Sequence, residues 1–114
     1  MSDIRLTENN RLLYAGPGDL EETPQGQKLQ FETPESRQTW IVGKDRLEII
    51  SRTELTVRMQ LRAQAVCPVI IDSPWGCLTA AASVGKLKTE DCKAEVEYEL
   101  EGDCRHFRLE WTKE

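Results

Sequence analysis

From Glu54 to Leu61, in the stretch ELTVRMQL, polar and apolar residues alternate without exception: Glu54, Thr56, Arg58 and Gln60 against Leu55, Val57, Met59 and Leu61. Period two belongs to an extended strand, whose successive side chains point to opposite faces of a sheet, and it suits no helix. The pattern returns near the C-terminus. Ala94, Val96, Tyr98 and Leu100 alternate with Glu95, Glu97, Glu99 and Glu101, and Phe107, Leu109 and Trp111 alternate with His106, Arg108 and Glu110. Each segment predicts an antiparallel strand with one face on a core and one in water.

Further strand-like segments lie at 11–16, 28–33, 38–43, 46–51, 67–72 and 76–84, for a total of about nine. Turn residues separate them: Pro17-Gly18-Asp19, Pro24-Gln25-Gly26, Pro34-Glu35-Ser36, Gly43-Lys44-Asp45 and Ser73-Pro74. No segment keeps a helical period. An all-β fold follows, an antiparallel up-and-down meander closing into a barrel of about eight to nine strands. Residues 1–114 are expected to make a single domain, with residues 1–10 a loosely ordered N-terminal segment.

The last two strands are predicted to join through Gly102-Asp103, with Glu101 facing Cys104. That register sets Tyr98 opposite Phe107, Val96 opposite Leu109, Ala94 opposite Trp111, Glu97 opposite Arg108 and Glu99 opposite His106. Apolar meets apolar and acid meets base, whereas a one-residue slip would spoil every pair.

Fifteen Lys and Arg against twenty Asp and Glu give a net charge of −5, and the basic residues are dispersed. Neither nucleic acid nor an anionic membrane is an expected partner. The first residues contain no apolar run of signal-peptide length, so the expected location is cytoplasmic. Cys67, Cys77, Cys92 and Cys104 form no C-x-x-C pair and His106 is the only histidine, so free, structural thiols are expected, with no metal and no cofactor.

Two local motifs suggest chemistry and fail on inspection. Gly85-Lys86 lacks both the glycine five residues upstream, where Ala80 stands, and the hydroxyl residue downstream, where Leu87 stands. It predicts a strand end with a solvated lysine. Cys77 would need a base, and His106 is expected on a solvated strand face opposite Glu99, away from any thiol. The glutamates at 95, 97, 99 and 101 likewise predict a solvated face. No catalytic residue emerges. The run Thr79-Ala80-Ala81-Ala82-Ser83 is more informative, because alanine leaves space on whichever face of the strand it occupies. A barrel of this size either packs that space or keeps enough of it for one small ligand. Trp40, Phe31, Trp75 and Trp111 are the candidates to fill it.

Several stretches resemble the YwiB-like family of small calycin-type β-barrel proteins of Gram-positive bacteria. Ser73-Pro74-Trp75-Gly76 is similar to that family's Thr-Pro-Tyr-Gly before its central strand. Glu95-Val96-Glu97-Tyr98-Glu99-Leu100 is similar to its penultimate strand, and Gly26-Gln27-Lys28-Leu29-Gln30-Phe31-Glu32 to its Gly-x-x-Leu-x-Tyr-Glu strand. Arg52 stands where an arginine follows its fifth or sixth strand, although Thr53-Glu54 replaces the glycine that comes next. The likeness runs in order over residues 11–112. It implies a lipocalin-like or fatty-acid-binding-protein-like barrel and no activity, since the family supplies no catalytic residues to carry over.

The expected function is therefore non-enzymatic: binding of a small, mostly apolar ligand inside the barrel, lined by Trp40, Arg52, Met59, Trp75, Ala80 and Ala82. The alternative is a filled barrel serving as a protein-interaction module or homodimer.

Overall fold

The computed structural model describes residues 2–113. Among them ten strands form a closed antiparallel barrel: β1 (Ser2–Glu8), β2 (Arg11–Thr23), β3 (Gly26–Glu32), β4 (Arg37–Gly43), β5 (Arg46–Arg52), β6 (Thr56–Arg62), β7 (Val66–Ser73), β8 (Gly76–Glu90), β9 (Lys93–Leu100) and β10 (Asp103–Trp111). Each strand pairs with its sequence neighbours, and β1 closes the ring against β10. The expected meander is therefore present, with one strand more than the nine that the alternation revealed. The extra strand is β1. Residues 2–8, expected to be loosely ordered, bury Ile4 and Leu6 and pair on both sides. Its turn into β2 is Asn9-Asn10, both at positive φ, a conformation asparagine tolerates better than most residues.

Two expected boundaries differ for identifiable reasons. Pro17-Gly18-Asp19 is no turn but lies within β2, where that strand passes from pairing with β1 to pairing with β3. A Cβ on Gly18 would fall on the Ile4 side chain and 2.9 Å from the Gln30 carbonyl oxygen, so glycine lets three strands approach there. Nor does β8 end at Gly85-Lys86. The pairing with β9 shifts register between Val84 and Lys86, so Gly85 is an extra residue in a bulge. That extra residue reverses the alternation, turning Lys86 outward across from Glu97 and setting Leu87 across from the buried Val96.

The β9–β10 hairpin pairs Phe107 with Val96, Leu109 with Ala94, His106 with Glu97 and Arg108 with Glu95, two residues away from the expected register. The turn sits one residue earlier, at Glu101-Gly102, and both residues have positive φ (51° and 86°). Such a turn twists in the same sense as the strands it joins, which outweighs the cost of a left-handed glutamate. A shift of two leaves every side chain on its expected face.

The barrel is filled at one end. Leu29, Trp40, Leu47, Leu61, Val69, Ala82, Ala94, Val96 and Leu109 are almost wholly buried, in one cluster with Ile4, Phe31 and Trp111. Ala82, between Cys67 and Leu100 on its neighbouring strands, is wholly buried and leaves no cavity on its face. Full burial of Trp40 alone is worth roughly 3 kcal/mol or more. At the other end, where the β1–β2, β3–β4, β5–β6, β7–β8 and β9–β10 turns gather, two seams open. β8 pairs with β9 only from Ala82 onward, and β2 pairs with β3 only from Asp19 onward. There the wall divides into a leaf of β3 to β8 and a leaf of β9, β10, β1 and β2.

Candidate functional site

A cavity of about 650 Å³ lies between the two leaves, within the range of small-molecule sites. Its floor is Trp40, which stands edge-on to Phe107 with ring centroids 6.2 Å apart, while Phe107 stacks on Tyr98 at 6.1 Å. Leu6, Ile49, Val57 and Met59 supply further apolar wall, and Leu13 and Leu100 stand higher up. Inward parity explains the selection: these are the core-facing positions of strands whose lower residues are packed. Ten strands enclose a wider interior than eight, and no large side chain at the mouth fills it.

Thr33, Glu35, Glu101 and Asp103 stand around the mouth, and the remaining polar groups form two sets on opposite leaves. On one, Arg105 Nη1 pairs with Glu8 Oε2 at 2.9 Å, beside Tyr98. Burial pushes the Tyr98 hydroxyl up to about 12; the Arg105 charge opposes this and the Glu8 charge adds to it. Tyr98 is therefore a neutral hydrogen-bond donor at any physiological pH. On the other leaf Gln38 donates from Nε2 to Ser36 Oγ at 2.8 Å and Ser51 Oγ at 3.0 Å, and its Oε1 accepts from Trp40 Nε1 at 3.2 Å. That network fixes the floor tryptophan in one orientation. Among the described residues the wall carries no thiol and no imidazole.

A second polar cluster lies outside the barrel and corrects the expectation of a uniformly solvated glutamate face. Glu95 is only 6% exposed. His106 Nε2 donates to its Oε2 at 2.6 Å and Arg108 Nη2 at 3.3 Å, and Lys86 Nζ lies 3.6 Å from Oε1. Burial by itself would raise the Glu95 carboxyl; the His106 and Arg108 hydrogen bonds and the Lys86 charge outweigh it and hold the group at about 2. His106 is thus not a simple surface partner of Glu99 but bridges Glu95 and Glu97, whose Oε1 is 3.9 Å from Nδ1. The cluster cross-links β8, β9 and β10, and its own cations satisfy its anion.

The barrel is similar to one already solved. The crystal structure of the ywiB protein from Bacillus subtilis superposes with a TM-score of 0.71 at 9% sequence identity, covering 99% of this chain and 88% of that one. At that identity the likeness shows the fold and nothing of the chemistry. No protein-family model and no curated protein matches the sequence.

Of the six residues expected to line the interior, the structure brings two to the cavity, Trp40 and Met59. Ala82 is in the packed half, and Ala80 packs against the core without reaching the cavity wall. Arg52 is exposed at the end of β5, beside Arg37 and Thr53 on the outside of the mouth. Trp75, 92% exposed, caps the β7–β8 hairpin and fills nothing. Turn-tip residues project past the sheet, so an aromatic there has no wall to pack on. Glu8, Gln38, Tyr98 and Arg105 were missed as a set. The signal exists: Glu8 continues the inward series Ile4, Leu6, and Arg105 continues Trp111, Leu109, Phe107, so each is a charge at an inward position.

Proposed function

We propose that this chain is a non-enzymatic binding protein that takes one small, mostly apolar molecule into the open end of the barrel, its polar end beside Arg105 and Tyr98. The observation that carries the reading is the division of the interior into a packed half and an open half. Filling the mouth would require only larger residues at Ser51 or Val57, and the sequence does not supply them. An apolar chamber with a few converging polar groups is the usual form of a ligand site, and antiparallel barrels of lipocalin type hold single small ligands in this way. The calycin-like resemblance is consistent with that use.

Arg105 gives the expected selectivity. A ligand carboxylate or sulfonate beside Tyr98 competes with Glu8 for the guanidinium, whereas an ammonium group at that point is repelled by Arg105 and finds the Glu8 carboxylate already paired. Titration with dodecanoate and with dodecylamine, followed by the fluorescence of a Trp75→Phe variant, tests both parts. Saturable binding of dodecanoate, weaker for the amine and weakened again by Arg105→Gln, supports the reading. Failure of either amphiphile and of an anionic apolar dye to bind overturns it.

A further inference from the structure

The β7–β8 hairpin overhangs the barrel. Gly76 to Ala81 pair with Ser73 to Pro68 of β7, and β9 begins to pair with β8 only at Ala82. Among the described residues no strand pairs with the other edge of Gly76–Ala81. These six residues span about 20 Å of extended chain, and alternate ones turn their N–H and C=O groups to the open side. Proteins normally blunt such an edge with charge, proline or a bulge, since it is a template for another strand.

The opposite seam is blunted in this manner. Along Arg11–Gly18, the stretch of β2 that lacks a β3 neighbour, stand the charged Arg11 and the non-donating Pro17, whose carbonyl accepts a hydrogen bond from the Tyr14 hydroxyl at 2.6 Å. The free stretch of β8, Gly76–Ala81, has no such device. Residues 73–85 include no charged side chain, and residues 63–85 include one, Asp72, in a chain that is 31% charged. Trp75 is 92% exposed and Leu78 66% exposed, with Val66 and Ile70 exposed on β7.

We infer that the free edge of β8 pairs with the same edge of a second copy of this chain, forming a two-fold symmetric, continuous sheet across a dimer. Two features select a second copy over another protein's strand. Each copy carries a net charge of −5, so two copies approach at least cost through the part that bears almost none of it. The edge is also self-complementary. An antiparallel two-fold pairing centred on Thr79 sets Thr79 opposite itself, Leu78 opposite Ala80 on the inner face, and Cys77 opposite Ala81 on the outer face. Large meets small, and the hydroxyls of a cross-strand threonine pair can bond each other. The inference does not depend on the ligand reading, because none of Cys77 to Ala81 is on the cavity wall.

Sedimentation equilibrium of the full chain tests it, beside Thr79→Lys and Ala15→Lys. The symmetry axis would bring the two ammonium groups introduced at position 79 face to face, so Thr79→Lys should weaken the dimer at least about a hundredfold. Ala15→Lys, on the blunted edge of β2, should leave it unchanged. Thr79 is exposed, so the variant should keep the wild-type melting temperature; if it does not fold, Ala81→Glu serves in its place. Backbone amides within residues 77–81 should also exchange more slowly as protein concentration rises. A wild-type monomer well above micromolar concentration overturns the inference, even one whose edge takes up a strand from another protein. So does a dimer that is as tight with lysine at position 79 as with threonine.

Discussion

Replacing Glu95 by glutamine removes a negative charge that three cationic or hydrogen-bonding side chains surround, while nearly preserving shape. A carboxyl held at about 2 against an ordinary 4.5 corresponds to roughly 3 kcal/mol of native-state stabilisation at neutral pH in the unscreened limit. Lys86, His106 and Arg108 are each a quarter to a half exposed, and water screens their part. The expected loss in Glu95→Gln at pH 7 is therefore roughly 1–3 kcal/mol. The pH dependence gives the sharper signature. Because the folded value lies below the unfolded one, the stabilisation is complete above about 4.5 and disappears as pH falls towards 2. Urea unfolding of both proteins, followed by tryptophan fluorescence at several pH values from 7 to 2.5, should show a gap that is constant down to about pH 5 and then narrows, as the wild-type carboxyl is protonated and comes to resemble the amide. A gap that is absent at pH 7, or that persists unchanged at pH 2.5, would refute the assignment of Glu95 as a buried, charge-compensated carboxylate.

Three other substitutions test the fold. Gly18→Ala should cost roughly 1–3 kcal/mol in a denaturant titration, since the methyl group must displace Ile4 or the Gln30 backbone; an unchanged midpoint would mean that β1, β2 and β3 do not meet closely there. Deleting Gly85 removes the extra residue and leaves Val84, Lys86 and Leu87 opposite Tyr98, Glu97 and Val96 as before, so a cooperative thermal transition should remain; its loss would contradict the register. Trp75→Ser should change stability by no more than about 0.5 kcal/mol while shifting the mean emission to the blue, because Trp40 and Trp111 are buried and Trp75 is not; loss of stability would place Trp75 against the barrel.

Alternation made the fold legible because it is a local signal with a single structural meaning. It located nine strands and their faces. It failed where a local rule has more than one solution: Pro17-Gly18 suits a turn or a tight strand crossing, and only the arrival of Ile4 from β1 decides between them. The β9–β10 register failed for a related reason, since Gly102 can occupy the first or the second turn position and both choices keep the faces. The site was less legible. The alanine run leaves space that a barrel either packs or keeps, and at Ala82, which is wholly buried in the core cluster, it is packed. The cavity lies instead where the two leaves part, and strand pairing along seams is set by the whole barrel rather than by any segment. Exposure of Trp75 was equally hidden, since length of overhang depends on where β9 ends.

The central claim is that the interior is packed at one end and open at the other. Val57 and Val69 face inward on adjacent strands, the first on the cavity wall and the second fully buried. The direct measurement is the unfolding free energy of Val57→Phe beside that of Val69→Phe. Val69→Phe should cost roughly 1–3 kcal/mol by overpacking, while Val57→Phe should lie within about 0.5 kcal/mol of wild type or above it, since the ring enters existing space. Equal losses in the two variants would contradict the account, because they would mean that the mouth of the barrel is as full as its floor.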